Sequence, residues 1–257
     1  MQVGFTSTSF RQIKSVSKIV SIACAAGADC IEWGGDIHVK SLADARRVRA
    51  LCDDAGINIS SYGSYYRVGS GSECEWRKIC EIAAAMGCGS VRVWLGDKDS
   101  EKTSAAEYER LTADAKKICD EAKKYSLTVC PECHDKTYNN NTDAFLKIAR
   151  DIDRDNFKTY FQSRYRRLDC DLDRIERTIP FIESVHISYS EQTREQNLKR
   201  DPLYIDKLLK KLNECRFDGN LLVEYTYLFS WAGIAKHMVK DIEKIRKKQE
   251  EFLCLQS

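Results

Sequence analysis

The sequence predicts an α/β fold, a single (β/α)8 barrel that spans residues 1–257, and three observations support it. Eight strand-like runs alternate with helical patterns, the chain has the usual length of such a barrel, and no Pro-, Gly- or Ser-rich linker divides it. The runs lie at residues 2–7, 29–35, 58–64, 90–96, 128–134, 157–162, 184–190 and 220–226. Strands that alternate with helices pair in parallel, and closure at eight strands gives a barrel. The alternative, a doubly wound open sheet, is disfavoured because no GxGxxG motif follows the first strand.

Several of the helical patterns end in glycine. Gly27, Gly56 and Gly87 each stand just before the next strand-like run. Glycine is common at this position because it adopts the left-handed conformation that ends a helix. We therefore expect these three residues to mark the boundaries between helices and strands.

The composition is that of an ordinary globular protein, with 43% hydrophobic and 31% charged residues. The 41 Lys and Arg against 39 Asp and Glu leave a net charge of +2, without the basic excess of a nucleic-acid-binding protein. No apolar run approaches the roughly 20 residues needed to span a bilayer, and the first residues resemble a strand rather than a signal peptide. We expect a cytoplasmic protein that binds neither nucleic acid nor membrane, with most of its 12 cysteines as reduced thiols.

Ionisable side chains collect on one face of the predicted strands. Alternate strand residues point to opposite sides, and this pattern places Glu32, Glu132, His134, His186 and Glu224 inside the barrel, mostly near strand ends. A structural barrel core is filled by Val, Ile and Leu, and buried ionisable groups are costly unless they are paired or bind a metal. Because barrel active sites lie at the carboxyl ends of the strands, the pattern predicts an active site there.

Three of these residues form a candidate metal site. Glu132, His186 and Glu224 supply two carboxylates and one imidazole from three strands, and Gln162 at the end of strand 6 adds an amide oxygen. Hard oxygen donors with one nitrogen suit Mn²⁺, Mg²⁺ or Co²⁺ better than a thiolate-rich zinc site does. The alternative is that each residue is a buried polar group satisfied by its neighbours.

The sequence around these residues resembles a known superfamily. ECH at residues 132–134, VHIS around His186 and LVEYT around Glu224 are similar to the metal-binding strand ends of xylose-isomerase-like barrels. This superfamily includes sugar isomerases, sugar epimerases, inositol-catabolism enzymes and endonuclease-IV-type nucleases. Its members commonly carry a ligand Asp on strand 6, where this chain has Gln162. With four histidines in all, the chain resembles the sugar enzymes more than the three-metal nucleases.

A narrower resemblance runs through IEWGGDIHV, SSYGSYYRVG and PECHDKT. These segments are similar to a branch that includes the catalytic α subunits of bacterial C-deglycosylation enzymes. Such enzymes cleave the carbon–carbon bond between a 3-keto sugar and a flavonoid aglycone, use Mn²⁺ and act together with a small β subunit. The resemblance implies a C-glycoside substrate, Mn²⁺ and a β-subunit partner for this chain.

The chemistry of the predicted site starts with enolisation. A metal that polarises a keto sugar makes the carbon beside the carbonyl acidic, and His134, near the metal, is the candidate base. Loss of this proton leads to expulsion of an aglycone in a lyase, or to reprotonation in an epimerase or isomerase. A third reading is a sugar-binding barrel without catalysis.

Five more residues are candidates for a role at the barrel mouth. We expect His38 to act as a second acid or base and Glu32 to orient His38 or bind substrate. Tyr62 and Trp94 suit stacking on a sugar or a flat aglycone, and Arg164 suits an anion or a polyphenol. The alternatives are a solvated loop for His38, Glu32 and Arg164, and core packing for the aromatic residues.

Overall fold

Eight parallel strands form the inner wall of the protein, whose computed structural model describes residues 1–162, 168–187, 203–225 and 230–254. The strands are β1 (Gln2–Thr6), β2 (Cys30–Gly34), β3 (Asn58–Val68), β4 (Ser90–Leu95), β5 (Thr128–Pro131), β6 (Thr159–Gln162), β7 (Ile182–Ile187) and β8 (Asn220–Val223). They pair in the order β5-β4-β3-β2-β1-β8-β7-β6. Single bridges, Val129 to Phe157 and Glu132 to Tyr160, join β5 to β6. The predicted barrel is confirmed.

Eight α-helices within the described residues surround this wall. They are α1 (Val16–Ala26), α2 (Leu42–Ala55), α3 (Glu73–Met86), α4 (Ala105–Lys123), α5 (Thr142–Ile152), α6 (Leu168–Thr178), α7 (Tyr204–Glu214) and α8 (Trp231–Cys254). The predicted ends of the first three are confirmed, because Gly27, Gly56 and Gly87 follow them with φ of +63°, +67° and +73°. No helix in the described ranges is both long enough and apolar enough to cross a membrane.

The strand residues separate into two buried layers. Outward residues such as Trp33, Val129, Val185 and Leu221 belong to the large core between strands and helices. Cys30, Cys130, Tyr160 and Leu222 form a separate cluster inside the barrel. This is the alternation that the sequence predicts, and it places the next inward residue of each strand one layer closer to the carboxyl ends.

The structure changes the predicted ends of several strands, and the changes at β3 and β5 affect the residues at the barrel mouth. β3 continues to Val68, beyond the predicted end at residue 64, because pairing with β4 resumes at Arg67 after a register shift that follows Gly63. The aromatic segment SYGSYYRVG is therefore largely strand rather than loop. β5 ends at Pro131 instead of continuing to His134, which lies on the following loop and is exposed.

The packing of β1 against β2 gives a test of the fold. A Cβ atom on Gly4 would lie 2.0 Å from the backbone oxygen of Cys30, whereas one on the exposed Gly89 would meet nothing within 4 Å. We expect Gly4→Ala to lower the free energy of unfolding by about 1 to 3 kcal/mol, the usual cost of overpacking, or more, because backbone must move. Gly89→Ala is the control and should change stability by less than about 0.5 kcal/mol. Equal denaturation midpoints for the two variants would contradict this packing.

Candidate metal centre and active site

Glu132, His186 and Glu224 meet at the carboxyl end of the barrel. One donor atom from each lies within 4.8 Å of the other two. His186 Nδ1 is 3.6 Å from Glu132 Oε1 and 3.4 Å from Glu224 Oε2. The structure thus brings together the three residues that the sequence predicts as metal ligands: His186 lies in β7, and Glu132 and Glu224 directly follow β5 and β8.

The two ring nitrogens of His186 face different partners. Nδ1 points to the carboxylates of Glu132 and Glu224, and Nε2 lies 3.3 Å from Glu32 Oε2. A carboxylate behind a metal-binding histidine fixes its tautomer and its ring orientation. Glu32 is fully buried and lies against His186, whereas the sequence predicts that it orients His38 or binds substrate.

Gln162 also reaches this cluster. Its Oε1 lies 2.8 Å from His186 Nδ1, and its Nε2 donates to Glu224 Oε2 at 3.2 Å. The amide occupies the strand 6 position where related barrels commonly carry a ligand Asp. Its oxygen faces the same space as the three donors, and its nitrogen holds Glu224 in place.

Arg92 on β4 is a central residue that the sequence reasoning missed. Its guanidinium lies between two buried carboxylates, donating through Nε to Glu32 Oε1 at 3.1 Å and through Nη1 to Glu132 Oε2. Trp94 Nε1 donates to the same Glu132 oxygen at 2.9 Å. Glu132 Oε2 is thereby occupied, and Oε1 is left facing His186. The strand alternation that revealed Glu132 also points Arg92 inward, and this signal was available in SVRVWLG.

The charges of the cluster fit a divalent cation. Glu32, Glu132 and Glu224 surround His186, whereas Arg92 is the permanent cation that contacts the first two. Although burial opposes protonation, Glu224, Glu32 and Glu132 raise the pKa of His186 well above its usual value. Although burial favours the neutral acid, Arg92 and His186 hold the pKa of Glu132 well below its usual range. Ionised oxygens around an imidazole form a donor set that suits Mn²⁺, Mg²⁺ or Co²⁺.

An open cavity of about 210 Å³ lies over this cluster. Glu132, Gln162 and Glu224 line it. The other described residues that line it are Thr8, Ser9, Arg11, Gln12, Tyr65, Arg92, Trp94, His134, Tyr225 and Ile234. The cavity combines hydroxyl, amide, aromatic and charged groups, as expected of a site for a polar ligand that carries an apolar face.

His134 and Trp94 line this cavity side by side. The ring centroids lie 5.5 Å apart with an interplanar angle of 31°. His134 Nδ1 lies 2.6 Å from the carbonyl oxygen of Asp135. A carbonyl oxygen only accepts hydrogen bonds, so Nδ1 carries the proton and Nε2 is the basic nitrogen. The structure places both predicted residues at the mouth.

His38 lies elsewhere. It is buried, its Nδ1 is 3.0 Å from Ser7 Oγ and its Nε2 is 2.9 Å from the carbonyl oxygen of Ile13. Its ring packs edge-to-face on Trp33 at 6.0 Å. Both nitrogens are engaged in holding the segment after β1, and His38 does not line the cavity. The structure therefore gives it a structural position rather than the predicted position over the mouth.

The remaining predicted contacts have two outcomes. Tyr62 is buried between strands and helices, and its hydroxyl donates to the carbonyl oxygen of Val39 at 2.9 Å, so it does not reach the cavity. Its place is taken by Tyr65, three residues later, which the extended β3 carries to the mouth. Arg164 lies outside the described residues.

Comparison with known proteins identifies the family. The family model described as xylose isomerase-like TIM barrel matches residues 20–247. The chain belongs to this family. No curated protein matches it in sequence.

Solved structures of similar fold cover nearly the whole chain. The probable 3-DHS dehydratase involved in petrobactin synthesis from Bacillus anthracis is 17% identical, with a TM-score of 0.78 over 95% of this chain and 98% of its own. D-allulose 3-epimerase from Methylomonas sp. is 16% identical, with a TM-score of 0.77 over 96% and 98%. The 3-keto-D-glucoside 4-epimerase from E. coli is 14% identical, with a TM-score of 0.74 over 96% and 99%. At these identities the likeness concerns the fold.

The donor set leads to a graded prediction for metal binding. We expect Glu224→Ala to weaken Mn²⁺ binding by more than about 100-fold, whereas Glu32→Gln, which acts through His186, should weaken it by about 10- to 100-fold. Gln162→Ala should have a smaller effect than Glu224→Ala, because an amide oxygen attracts a cation less than a carboxylate does. Isothermal titration calorimetry measures these affinities, with the exposed Glu109→Ala as control. Stoichiometric, tight Mn²⁺ binding by Glu224→Ala would refute the ligand assignment.

The buried position of Arg92 predicts a large effect on stability. Arg92→Met retains the bulk of the side chain but leaves Glu32 and Glu132 without their common counter-ion. Loss of one partner of a buried ion pair costs about 3 to 5 kcal/mol, and we expect this loss of unfolding free energy at pH 7 in the metal-free protein. The pKa values of these carboxyls are lowered in the wild type, which means that the folded protein favours their ionised forms. The difference in unfolding free energy between the wild type and Arg92→Met should therefore shrink as pH falls, because protonation relieves the repulsion between the two carboxylates.

Urea denaturation of Arg92→Met and of a surface control measures this effect. Arg49→Met removes an exposed pair with Asp53 and should cost at most about 1 kcal/mol. A similar midpoint for both variants would mean that Arg92 is not needed to bury the carboxylates.

Proposed function

We propose that this chain is a metal-dependent enzyme that removes a proton beside the carbonyl of a keto sugar and cleaves the carbon–carbon bond of 3-keto C-glycosides. One observation carries the proposal. The candidate metal-binding trio of Glu132, His186 and Glu224 lies at the same cavity that His134 lines. A Lewis-acid site next to a positioned base is the arrangement that proton abstraction beside a carbonyl needs.

A divalent cation held by Glu132, His186 and Glu224 would polarise the carbonyl oxygen of the sugar and make the neighbouring C–H bond acidic. The protein residues supply the rest. The hydrogen bond from His134 Nδ1 to the carbonyl oxygen of Asp135 makes Nε2 the acceptor nitrogen of the neutral ring, and the ring packs against Trp94. In a 3-keto C-glycoside, His134 takes the proton from carbon 2 of the sugar.

The cavity wall supports a sugar that carries an aromatic group. Thr8, Ser9 and Gln12 offer hydroxyl and amide groups that suit sugar hydroxyls, and Tyr65 and Trp94 offer aromatic surface. The resemblance of PECHDKT and SSYGSYYRVG to C-deglycosylation α subunits supports a flavonoid-type aglycone and Mn²⁺ as the metal. A fold neighbour named 3-keto-D-glucoside 4-epimerase supports a 3-keto sugar as the substrate class.

Epimerisation is the second candidate function. Epimerases among the similar structures, two of which are described above, support it, and its first step is the same proton abstraction by His134. The outcomes differ in the fate of the electron pair. In the lyase it expels the aglycone, and in the epimerase it takes a proton back at carbon. Product analysis after incubation with Mn²⁺ and a 3-keto C-glucosyl flavone separates them, because free aglycone appears only in the first case.

A small β subunit is the proposed partner, and the resemblance to C-deglycosylation enzymes supports it. The aromatic segment SYGSYYRVG does not offer a continuous apolar surface for it, because Tyr62 and Tyr66 are buried. Two large hydrophobic residues that are exposed, Leu203 and Trp231, lie at the starts of α7 and α8, which follow the carboxyl ends of β7 and β8.

We expect activity to rise when the chain is co-expressed with a small protein from a neighbouring gene. Aglycone release by the purified single chain and by the co-purified complex would be compared at equal concentrations of the chain. Trp231→Ser should weaken complex formation while the metal affinity stays the same. Full activity of the single chain, with no gain from a partner, would count decisively against the β subunit.

The role of His134 predicts a specific loss of proton transfer. His134→Ala should bind Mn²⁺ as the wild type does, because His134 is not among the ligands. It should lose turnover by about 10²- to 10⁴-fold, the usual contribution of a general base. In deuterated water it should also stop exchanging the substrate α-proton, which NMR measures directly.

The exchange experiment separates the possible roles. Persistent exchange with loss of aglycone release would make His134 an acid for the leaving group instead of the base. If neither exchange nor release changes, His134 has no part in the reaction. If the wild type binds Mn²⁺ and the sugar but shows no exchange, the chain is a binding protein and the proposed enzyme function is wrong.

A further inference from the structure

Tyr65 has an unusual backbone conformation at the mouth of the barrel. Its φ is +60°, within the left-handed region that tyrosine rarely adopts, and it lies inside the register shift of β3 between Gly63 and Arg67. Such a conformation costs about 1 to 3 kcal/mol and persists only where the surroundings enforce it, commonly at functional sites. As a result, Tyr65 lines the cavity, whereas Tyr62 and Tyr66 on the same strand are buried in the core.

The side chain of Tyr65 is held from three sides. Arg11 Nη2 donates to its hydroxyl oxygen at 2.6 Å, and Arg11 is itself fixed by an ion pair with Asp36. The ring packs edge-on against Trp94, with centroids 5.4 Å apart, and the guanidinium of Arg92 lies 5.2 Å from the ring centre. None of these contacts comes from a metal ligand.

The hydrogen bond with Arg11 determines what the hydroxyl can do. Arginine only donates, so it occupies a lone pair of the phenol oxygen and leaves the O–H hydrogen available. Burial raises the pKa of Tyr65, so the hydroxyl is protonated at neutral pH. Once the proton leaves, the adjacent Arg11 cation stabilises the phenolate. A phenol prepared in this way is a proton donor that faces the same cavity as the base His134.

We propose that Tyr65 is the catalytic proton donor of this site, with Arg11 as the residue that positions it and stabilises its anion; this rests on the proposed lyase function. His134 takes the proton from carbon 2, and the electron pair of that bond forms a double bond between carbons 1 and 2. The bond from carbon 1 to the aglycone breaks, and its electron pair takes the proton of Tyr65 at the aglycone carbon. Solvent reprotonates the Tyr65 phenolate and accepts the proton held by His134.

Trp94 contacts both the proposed base and the proposed proton donor. Its ring contacts Tyr65 on one side and His134 on the other, with centroid distances of 5.4 and 5.5 Å. The two proton-transfer groups are thus fixed relative to each other by one aromatic side chain, which is itself bonded to the metal-ligand residue Glu132. A single acid–base residue would have to reach both carbon 2 and the aglycone carbon, because it would deliver the proton that it had just taken.

The test compares two tyrosines of the same strand. Tyr65→Phe keeps the ring on Trp94 and removes only the hydroxyl, whereas the control Tyr66→Phe changes a ring that packs on Trp76 in the core at 5.0 Å. The Mn²⁺-loaded proteins are incubated with a 3-keto C-glucosyl flavone in deuterated water. We expect Tyr65→Phe to retain α-proton exchange and Mn²⁺ affinity but to lose aglycone release by about 10²- to 10⁴-fold. Tyr66→Phe should retain both activities.

Arg11 is tested by a double-mutant cycle. If Arg11 acts through Tyr65, Arg11→Met should lower aglycone release, and the double variant should be no slower than Tyr65→Phe alone. Arg11→Lys should restore part of the lost rate, because an ammonium group retains the positive charge. Additive losses in the double variant would mean that Arg11 contacts substrate independently and does not position Tyr65.

The outcomes distinguish this inference from the function on which it rests. If the wild type exchanges the α-proton and releases aglycone, and Tyr65→Phe releases aglycone at the normal rate, then the role of Tyr65 is overturned. The lyase function stays intact in that case. Loss of exchange together with release in Tyr65→Phe would also overturn the role of Tyr65, because the hydroxyl would then serve enolisation. Exchange without release by the wild type would refute the lyase function itself, and the proposed role of Tyr65 in protonating the aglycone would fall with it.

Discussion

The ion pairs of Arg92 are the interaction on which the rest of the site depends. Three carboxylates lie at the carboxyl end of a barrel whose floor is apolar, formed by Cys30, Cys130, Tyr160 and Leu222. An uncompensated charge in such a place would be expelled or neutralised by a proton. Arg92 prevents this by joining Glu32 to Glu132, so that both stay ionised and fixed. Glu32 then aligns His186, and Glu132 turns its second oxygen toward the same imidazole. The candidate metal site is therefore the outer part of a charge network in which Arg92 and Glu32 are the inner part.

The strand alternation explains why sequence reasoning found the ligands. In a closed parallel barrel, every second residue points inward, and the inward residue nearest the carboxyl end reaches the mouth. This rule correctly grouped Glu132, His186 and Glu224, because His186 is in regular register with β6 and β8, and Glu132 and Glu224 directly follow the last residues of β5 and β8. It also pointed Arg92 inward, but a buried arginine has meaning only when its partners on neighbouring strands are known. The ion pairs between Arg92 and carboxylates from other strands depend on the tertiary structure, and the sequence pattern within one strand does not predict them.

The failures at His38, Tyr62 and the end of β3 have a common physical origin. Each depends on how a segment after a strand folds back on the barrel. His38 follows β2 but turns inward to bond Ser7 and Ile13, which belong to the segment after β1. Tyr62 pairs with the outward residue Trp33 after a register shift between Ile59 and Ser61, and Tyr65 lies within a second shift, between Gly63 and Arg67, and lines the cavity. A bulge of this kind reverses the alternation on which the sequence prediction relies. Once pairing with β4 is seen, the left-handed Tyr65 accounts for the change.

The position of Trp94 connects the structural network with the proposed chemistry. Its indole nitrogen bonds to Glu132, while its ring contacts both Tyr65 and His134. A shift of Glu132 would therefore move the base and the proton donor together with the metal ligand. This coupling matters because proton transfer requires hydrogen-bonding distances between the groups that act on one substrate. If these groups lay on separate loops without a common contact, the distances between them would vary independently. Here Trp94 on β4 contacts Glu132, Tyr65 and His134, and it therefore holds them against the same rigid strand. Arg92, which allows the carboxylates to be buried, lies on this strand too.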